Sequence, residues 1–96
     1  MDIMRGDVVR SLAGHDKDML YGVVSTDGDF LLLANGKERK LNAPKRKRCK
    51  HVRREGTCDQ SVFSRLRAGE PVGDNELRKA LAAFRDERNQ MQSRRE

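Results

Sequence analysis

Apolar positions in the first half of the chain fall in short runs, broken by turn signals about every ten residues, which is the spacing of a small all-β unit. Strands are predicted at Val8 and Val9, over 19–25, over 30–34, over 39–41 and, beyond Pro44, over 49–53. Asp27-Gly28 and Asn35-Gly36 are dipeptides that tolerate left-handed backbone, so each predicts a two-residue type I′ hairpin turn. Residues 13–18 form a polar loop between the first two strands. Gly22 lies inside a strand with no side chain to pack, as expected at a bulge or a sharp bend. Five short strands in some 50 residues are most economically closed into a small barrel, because closure removes exposed edges.

The period changes in the second half. Leu77, Ala80, Leu81 and Phe84 recur at i, i+3, i+4 and i+7, which predicts a helix with Asp74 as its N-cap; Val62, Phe63 and Leu66 predict a shorter helical turn from Ser61. The run Phe30-Leu31-Leu32-Leu33-Ala34 is apolar on both faces, so it needs cover outside the barrel, and these helices are the elements to supply it. The stripe fails at Arg88, and the last residues are expected to fray. The predicted organisation is a β-domain over 1–54, a linker with a short helical turn over 55–73, and a C-terminal helix and tail over 74–96.

With 96 residues, 35% hydrophobic, there is little room for two independent cores, and two domains are not expected. The chain carries a formal net charge of +6, with 21 Lys and Arg against 15 Asp and Glu. Between Lys37 and Arg54 stand ten basic residues and one acidic one, a local net of +9, while the remainder sums to −3. Unneutralised, such a segment repels itself, so its partner is expected to be a polyanion, with nucleic acid first. No run approaches the roughly 18 apolar residues of a membrane span, and the N-terminus lacks a secretory plan; a cytoplasmic protein without a membrane partner is expected. Cys49 and Cys58 are expected to be free thiols in that compartment.

Gly6-Asp7-Val8-Val9-Arg10-Ser11-Leu12-Ala13-Gly14-His15-Asp16-Lys17, followed by Tyr21-Gly22-Val23-Val24, resembles the KOW motif of RNA-binding ribosomal and transcription proteins. The likeness is strongest to relatives of eukaryotic and archaeal large-subunit ribosomal proteins, short bacterial forms included. There a basic stretch with a Lys-His pair follows the Asn-Gly turn, as Pro44-Lys45-Arg46-Lys47-Arg48-Cys49-Lys50-His51 does here. The resemblance covers about residues 5–53. It implies a five-stranded SH3-like barrel with the helical extension packed on it, binding ribosomal RNA or the ribosome, with the loop at His15, Asp16 and Lys17 facing RNA. Asp18 departs from the pattern, standing where many members carry a second glycine.

Physically, Lys and Arg at strand ends contact phosphate oxygens and release counterions. The candidate RNA-binding residues are Arg10, His15, Lys17, Lys37, Arg39, Lys40, Lys45, Arg46, Lys47, Arg48, Lys50, His51, Arg53 and Arg54. His51 serves equally as a structural residue capping the last strand, and Tyr21, the one polar aromatic, as a core residue. With so few aromatics for stacking, folded RNA is the expected target rather than a sequence-specific single strand. Cys49, His51 and Cys58 lack the paired short spacings of a zinc site and need a fourth ligand such as His15 or Asp59. No phosphate-binding glycine loop or catalytic constellation is present, so no enzymatic activity, cofactor or small-molecule substrate is expected, and the protein is expected to be a monomer. The alternative is an adaptor in translation or transcription, binding a protein partner through the barrel or the helix over 74–86. An architectural DNA binder needs a recognition helix, whereas this one mixes Arg78, Lys79 and Arg85 with Glu76, Asp86 and Glu87.

Overall fold

A computed structural model describes residues 3–56 and 61–93. Strands β1 (Val8–Ser11), β2 (Leu20–Asp27), β3 (Phe30–Ala34), β4 (Lys45–Arg48) and β5 (Val52–Gly56) are followed by helices α1 (Ser61–Arg67) and α2 (Asp74–Ser93). The strands form one antiparallel sheet in the order β4-β3-β2-β1-β5. No described helix is long and apolar enough to cross a membrane.

The sheet is not closed into the SH3-like barrel expected from strand spacing and from the KOW resemblance. β4 and β5 are its two edges; a 3₁₀ turn at Cys49–His51 joins them, and they form no ladder with each other. Closure is one way to remove edges, and charge is another. β4 reads Lys-Arg-Lys-Arg and β5 carries Arg53, Arg54 and Glu55, side chains that deter pairing with a further strand.

Alternation along the strands divides the apolar residues between two cores. On one face Val8 and Ala34 meet Val62 and Phe63 of α1 and Leu77, Ala80, Leu81 and Phe84 of α2. On the other, Val9, Tyr21, Val23, Leu31, Leu33 and Val52 gather with Ile3. The curl of the open sheet, with Ile3 and the half-buried Cys49, encloses this second cluster. The two-faced apolar run in β3 is thereby explained, since Leu31 and Leu33 serve the second core and Ala34 the first. Gly22 is a point of close approach: a Cβ there would lie 3.1 Å from Leu77 Cδ1 and 3.6 Å from Leu66 Cδ2. The β2–β3 register shift comes just after it, between Val23 and Ser25.

The two predicted hairpin turns have different outcomes. Asp27 pairs with Phe30, so Gly28 and Asp29, not Asp27 and Gly28, are the central residues; Gly28 alone has positive φ, at 59°, which is the II′ pattern and not the expected I′. Asn35-Gly36 makes no two-residue hairpin, and 39–41 is not a strand; β3 pairs instead with β4. The Asn35 side-chain oxygen accepts from the Lys37 and Arg39 amides, both at 3.0 Å, and so builds a wider loop. That loop is docked on the start of α2, where Asp74 Oδ1 accepts from the Leu41 amide at 2.7 Å. Asp74 is therefore not the N-cap. Gly73 holds that position: its carbonyl accepts from the Leu77 amide, and Glu76 reaches back to its N–H at 3.2 Å, as in a capping box. α2 also runs past Phe84 to Ser93, further than its apolar stripe predicts.

Gly36 is held at φ 78° with a Cβ position 2.1 Å from the Asp74 carbonyl oxygen, whereas Gly28, also left-handed, faces open space. Left-handed backbone costs a side-chain-bearing residue about 1–2 kcal/mol, and a backbone clash adds to it. Gly36→Ala is expected to lower the unfolding free energy in urea by more than about 2 kcal/mol, and Gly28→Ala by about 1 kcal/mol.

Candidate nucleic-acid interface

The β1–β2 loop turns one of its acids inward. Asp16 is buried and accepts from Ser11 Oγ at 2.8 Å, Tyr21 Oη at 3.0 Å, Lys45 Nζ at 2.7 Å and Lys47 Nζ at 3.1 Å. Lys47 also donates to the Ala13 carbonyl at 2.9 Å. Burial alone would raise the Asp16 pKa, but the donors, Lys45 and Ser11 foremost, outweigh it and hold the carboxyl well below the ordinary carboxylate range. Burial and the adjacent Asp16 together push the Tyr21 hydroxyl above its usual value. Tyr21 is thus a core residue, and two candidate phosphate-binding lysines, Lys45 and Lys47, are engaged inside the protein.

Their neighbours on β4 point the other way. The Arg46 guanidinium lies 3.8 Å from the Phe30 ring centroid and that of Arg48 5.0 Å, while Arg46 also pairs with Asp27 at 3.4 Å. Lys37, Arg39 and Lys40 are exposed on the 35–44 loop, His15 and Lys17 are exposed beside buried Asp16, and Lys50 and His51 are exposed on the 3₁₀ turn. His51 has a structural part through its backbone, whose carbonyl accepts from the Leu12 amide at 2.8 Å. Asp18 takes the left-handed conformation at φ 73°, a geometry that favours glycine.

Arg10, Arg53 and Arg54 gather elsewhere, around Glu55. Val8 pairs with Gly56 and Val9 with Arg54, so Glu55 is an extra, bulged residue on β5. A bulge re-aims its side chain. The Glu55 side chain is only 7% exposed, with Arg53 Nε at 2.8 Å, Arg88 Nη2 at 3.3 Å and Arg10 Nε at 3.5 Å. Burial works to raise its pKa, but the Arg53 hydrogen bond and the Arg10 charge hold it below the ordinary value. Arg54 pairs with Asp7, also buried, at 3.1 Å.

Two clefts open here between the sheet and α2. One, of about 580 Å³, is walled by Arg10, Arg53, Arg54, Arg85 and Arg88, with Asp18 and Glu55 as its only acids. The other, of about 490 Å³, shares Arg10, Asp18 and Arg85 and adds Lys37, Glu38, Arg78 and Lys79 over an apolar floor that includes Leu20 and Leu81. The α2 cations are absent from the candidates drawn from the 37–54 charge cluster. A signal for them existed: Arg78, Arg85 and Arg88 are seven and three residues apart and share a helix face, which Glu76, Asp86 and Glu87 do not.

Among the described residues no group of three or more His, Cys, Asp or Glu is placed to hold a metal; Cys58 and Asp59 lie outside them. No family model matches the chain, and no curated protein matches it.

Removing one partner of a buried ion pair typically costs about 3–5 kcal/mol, and Asp16 holds two lysines. Asp16→Asn is expected to lower the unfolding free energy by about 3 kcal/mol at neutral pH. Because the folded pKa lies below the unfolded one, the stabilisation is complete above about pH 4–5 and lost as pH falls through the folded value. Urea midpoints from pH 7 to 3 should therefore fall less steeply in the variant than in the parent, the residual slope coming from Glu55 and Glu76, whose carboxyls are also held below the ordinary value.

Proposed function

We propose that this chain is a cytoplasmic, non-enzymatic RNA-binding protein that holds folded ribosomal RNA through its phosphates, acting with the ribosome as a monomer. The observation that carries this reading is the segregation of charge. Asp7 and Asp16 are buried and Glu55 has its side chain turned in, all three paired to cations, whereas Lys37, Arg39, Lys40, Arg46, Arg48, Lys50 and Arg53 are exposed. Three acids are thus spent internally, and the exposed cations of the sheet and its loops outnumber the exposed acids Asp18, Asp27, Asp29 and Glu38, which leaves an exterior suited to counterion release on a polyanion. The KOW-like residues of 6–24 and the basic stretch of 44–51 favour the same partner.

The aromatic side chains favour folded RNA over an unpaired strand. Tyr21, Phe63 and Phe84 are buried, and the Phe30 ring lies beneath Arg46. Among the described residues this leaves no Phe or Tyr face fully open for base stacking and only the His15 and His51 rings exposed, so contacts fall mainly on phosphate and ribose, which report the shape of a helix.

A fluorescently labelled ribosomal RNA hairpin, titrated with the full chain, tests this. With about six phosphates engaged, affinity is expected to fall about a thousandfold from 50 to 200 mM salt, and Arg46→Ala with Arg48→Ala to flatten the log–log salt slope by about two. A polyuridine strand of equal length should bind more weakly. Binding no stronger than to a neutral polymer at low salt would overturn the reading.

A further inference from the structure

We infer that the arginine-walled cleft between α2 and the β1–β5 edge is a clasp for consecutive backbone phosphates of the bound RNA, with Glu55 as the internal carboxylate that keeps it preformed. The inference rests on the RNA-binding reading and adds to it a site outside the basic segment.

Every residue lining this cleft is charged, with five guanidinium groups facing two carboxylates. Counting the buried Asp7 that pairs with Arg54 and Asp86 beside Arg85 still leaves one cation in excess. A purely structural ion-pair network has no use for that surplus, which raises mutual repulsion with nothing to neutralise it. An anion entering from outside would complete the balance.

The way the arginines are held is the second argument. Arg53 reaches Glu55 and Arg54 reaches Asp7 through Nε, at 2.8 and 3.1 Å. Arg10 turns Nε to Glu55 and Nη1 to the Asp18 carbonyl. Arg85 has a single ion pair among the described residues, to Asp86 at 3.9 Å. The terminal Nη donors of Arg53, Arg54 and Arg85 are therefore unspent among the described residues; the guanidinium groups of Arg53 and Arg54 are held by their Nε bonds, while Arg85 stands exposed beside them. Such planar forks match the paired oxygens of a phosphate. For Arg53 and Arg54 the ordering cost is largely met before binding, as a tight electrostatic site requires.

The shape selects a chain of phosphates over a single ion. The walls come from β1, β5 and α2, and the neighbouring cleft continues from the shared Arg10 and Arg85 towards Lys37, Arg78 and Lys79. Together they form a track between helix and sheet, a few hundred cubic ångströms at each station, lined with cations at intervals. A linear polyanion can occupy both stations at once.

Glu55 has a definite part in this arrangement. As the bulged residue of β5 it is turned in among the arginines, where its negative charge gathers Arg10, Arg53 and Arg88 and lowers the net attraction for a ligand. It sets the geometry of the clasp and limits its affinity.

The test measures binding of the full chain to the labelled ribosomal RNA hairpin and, separately, to inorganic tripolyphosphate, from 50 to 200 mM salt. Arg85→Ala with Arg88→Ala, which leaves Arg46 and Arg48 in place, is expected to weaken hairpin binding about tenfold or more and to flatten the salt slope by about two. Arg85→Gln alone, at a side chain 62% exposed and free of buried partners, keeps the fold and should flatten it by about one. Glu55→Gln should tighten binding at 50 mM salt. If the parent binds the hairpin and both arginine variants match it within twofold, the clasp is overturned and the RNA reading stands. If the variants lose only tripolyphosphate binding, the cleft takes free phosphate chains and the clasp for RNA is equally overturned. If the parent shows no preference for the hairpin over a neutral polymer, both fall together.

Discussion

Burying the carboxylate of Asp16 obliges the chain to bring donors to it, and that requirement shapes the sheet. Ser11 and Tyr21 come from β1 and β2, beside the loop that carries Asp16, but Lys45 and Lys47 come from β4, with β3 lying between. The contact can form only if the sheet curls until its edge strand faces the β1–β2 loop. The same curl encloses Val9, Val23, Leu31 and Leu33, so a polar node and an apolar core support each other. It also fixes the register of β4. A slip by one residue would present Arg46 and Arg48 to Asp16 and turn both lysines outward.

Residues whose local pattern and tertiary role agree were legible in the sequence. β3 lies at 30–34 as its run of five apolar residues predicts, and Leu77, Ala80, Leu81 and Phe84 are buried as their spacing requires. Misreadings arose where one residue serves two partners. Asn35-Gly36 has the chemistry of a tight turn, but Gly36 is needed because α2 begins against it, and Asn35 caps a wider loop. Asp74 has the chemistry of an N-cap, but its carboxylate holds the Leu41 amide of that loop, so Gly73 takes the position. A contact 33 residues away has no local trace. The barrel was inferred from the need to protect edges, and the charged residues of β4 and β5 meet the same need without closure.

The candidate site was legible in its charge and not in its geometry. A count along the chain isolates residues 37–54 correctly as the cationic stretch, but it treats each cation as available. Strand alternation halves that supply on β4, and a bulge at Glu55 diverts Arg10 and Arg53 to an internal acid. Conversely, α2 looks nearly neutral when summed, because its acids and bases alternate in sequence. Wound at about 100° per residue, they separate, and Arg78, Arg85 and Arg88 come to one side. A face-resolved charge profile recovers this; a linear one does not.

Why lysine inside and arginine outside on β4 follows from the shape of each cation. Asp16 offers four acceptor directions in a confined space already shared by Ser11 and Tyr21, where a compact ammonium with three donors on a flexible stem can reach one oxygen and, in Lys47, a carbonyl as well. A guanidinium there would need room for its whole plane. On the outer face that plane is an advantage: Arg46 lies over Phe30, covers a half-buried ring and still presents donors to solvent. Exchanging the two residue types along β4 would keep net charge, composition and strand propensity and yet lose both arrangements. What the alternation Lys-Arg-Lys-Arg encodes is therefore a sidedness, with a structural cation facing the core and an exposed cation facing the solvent at every second position.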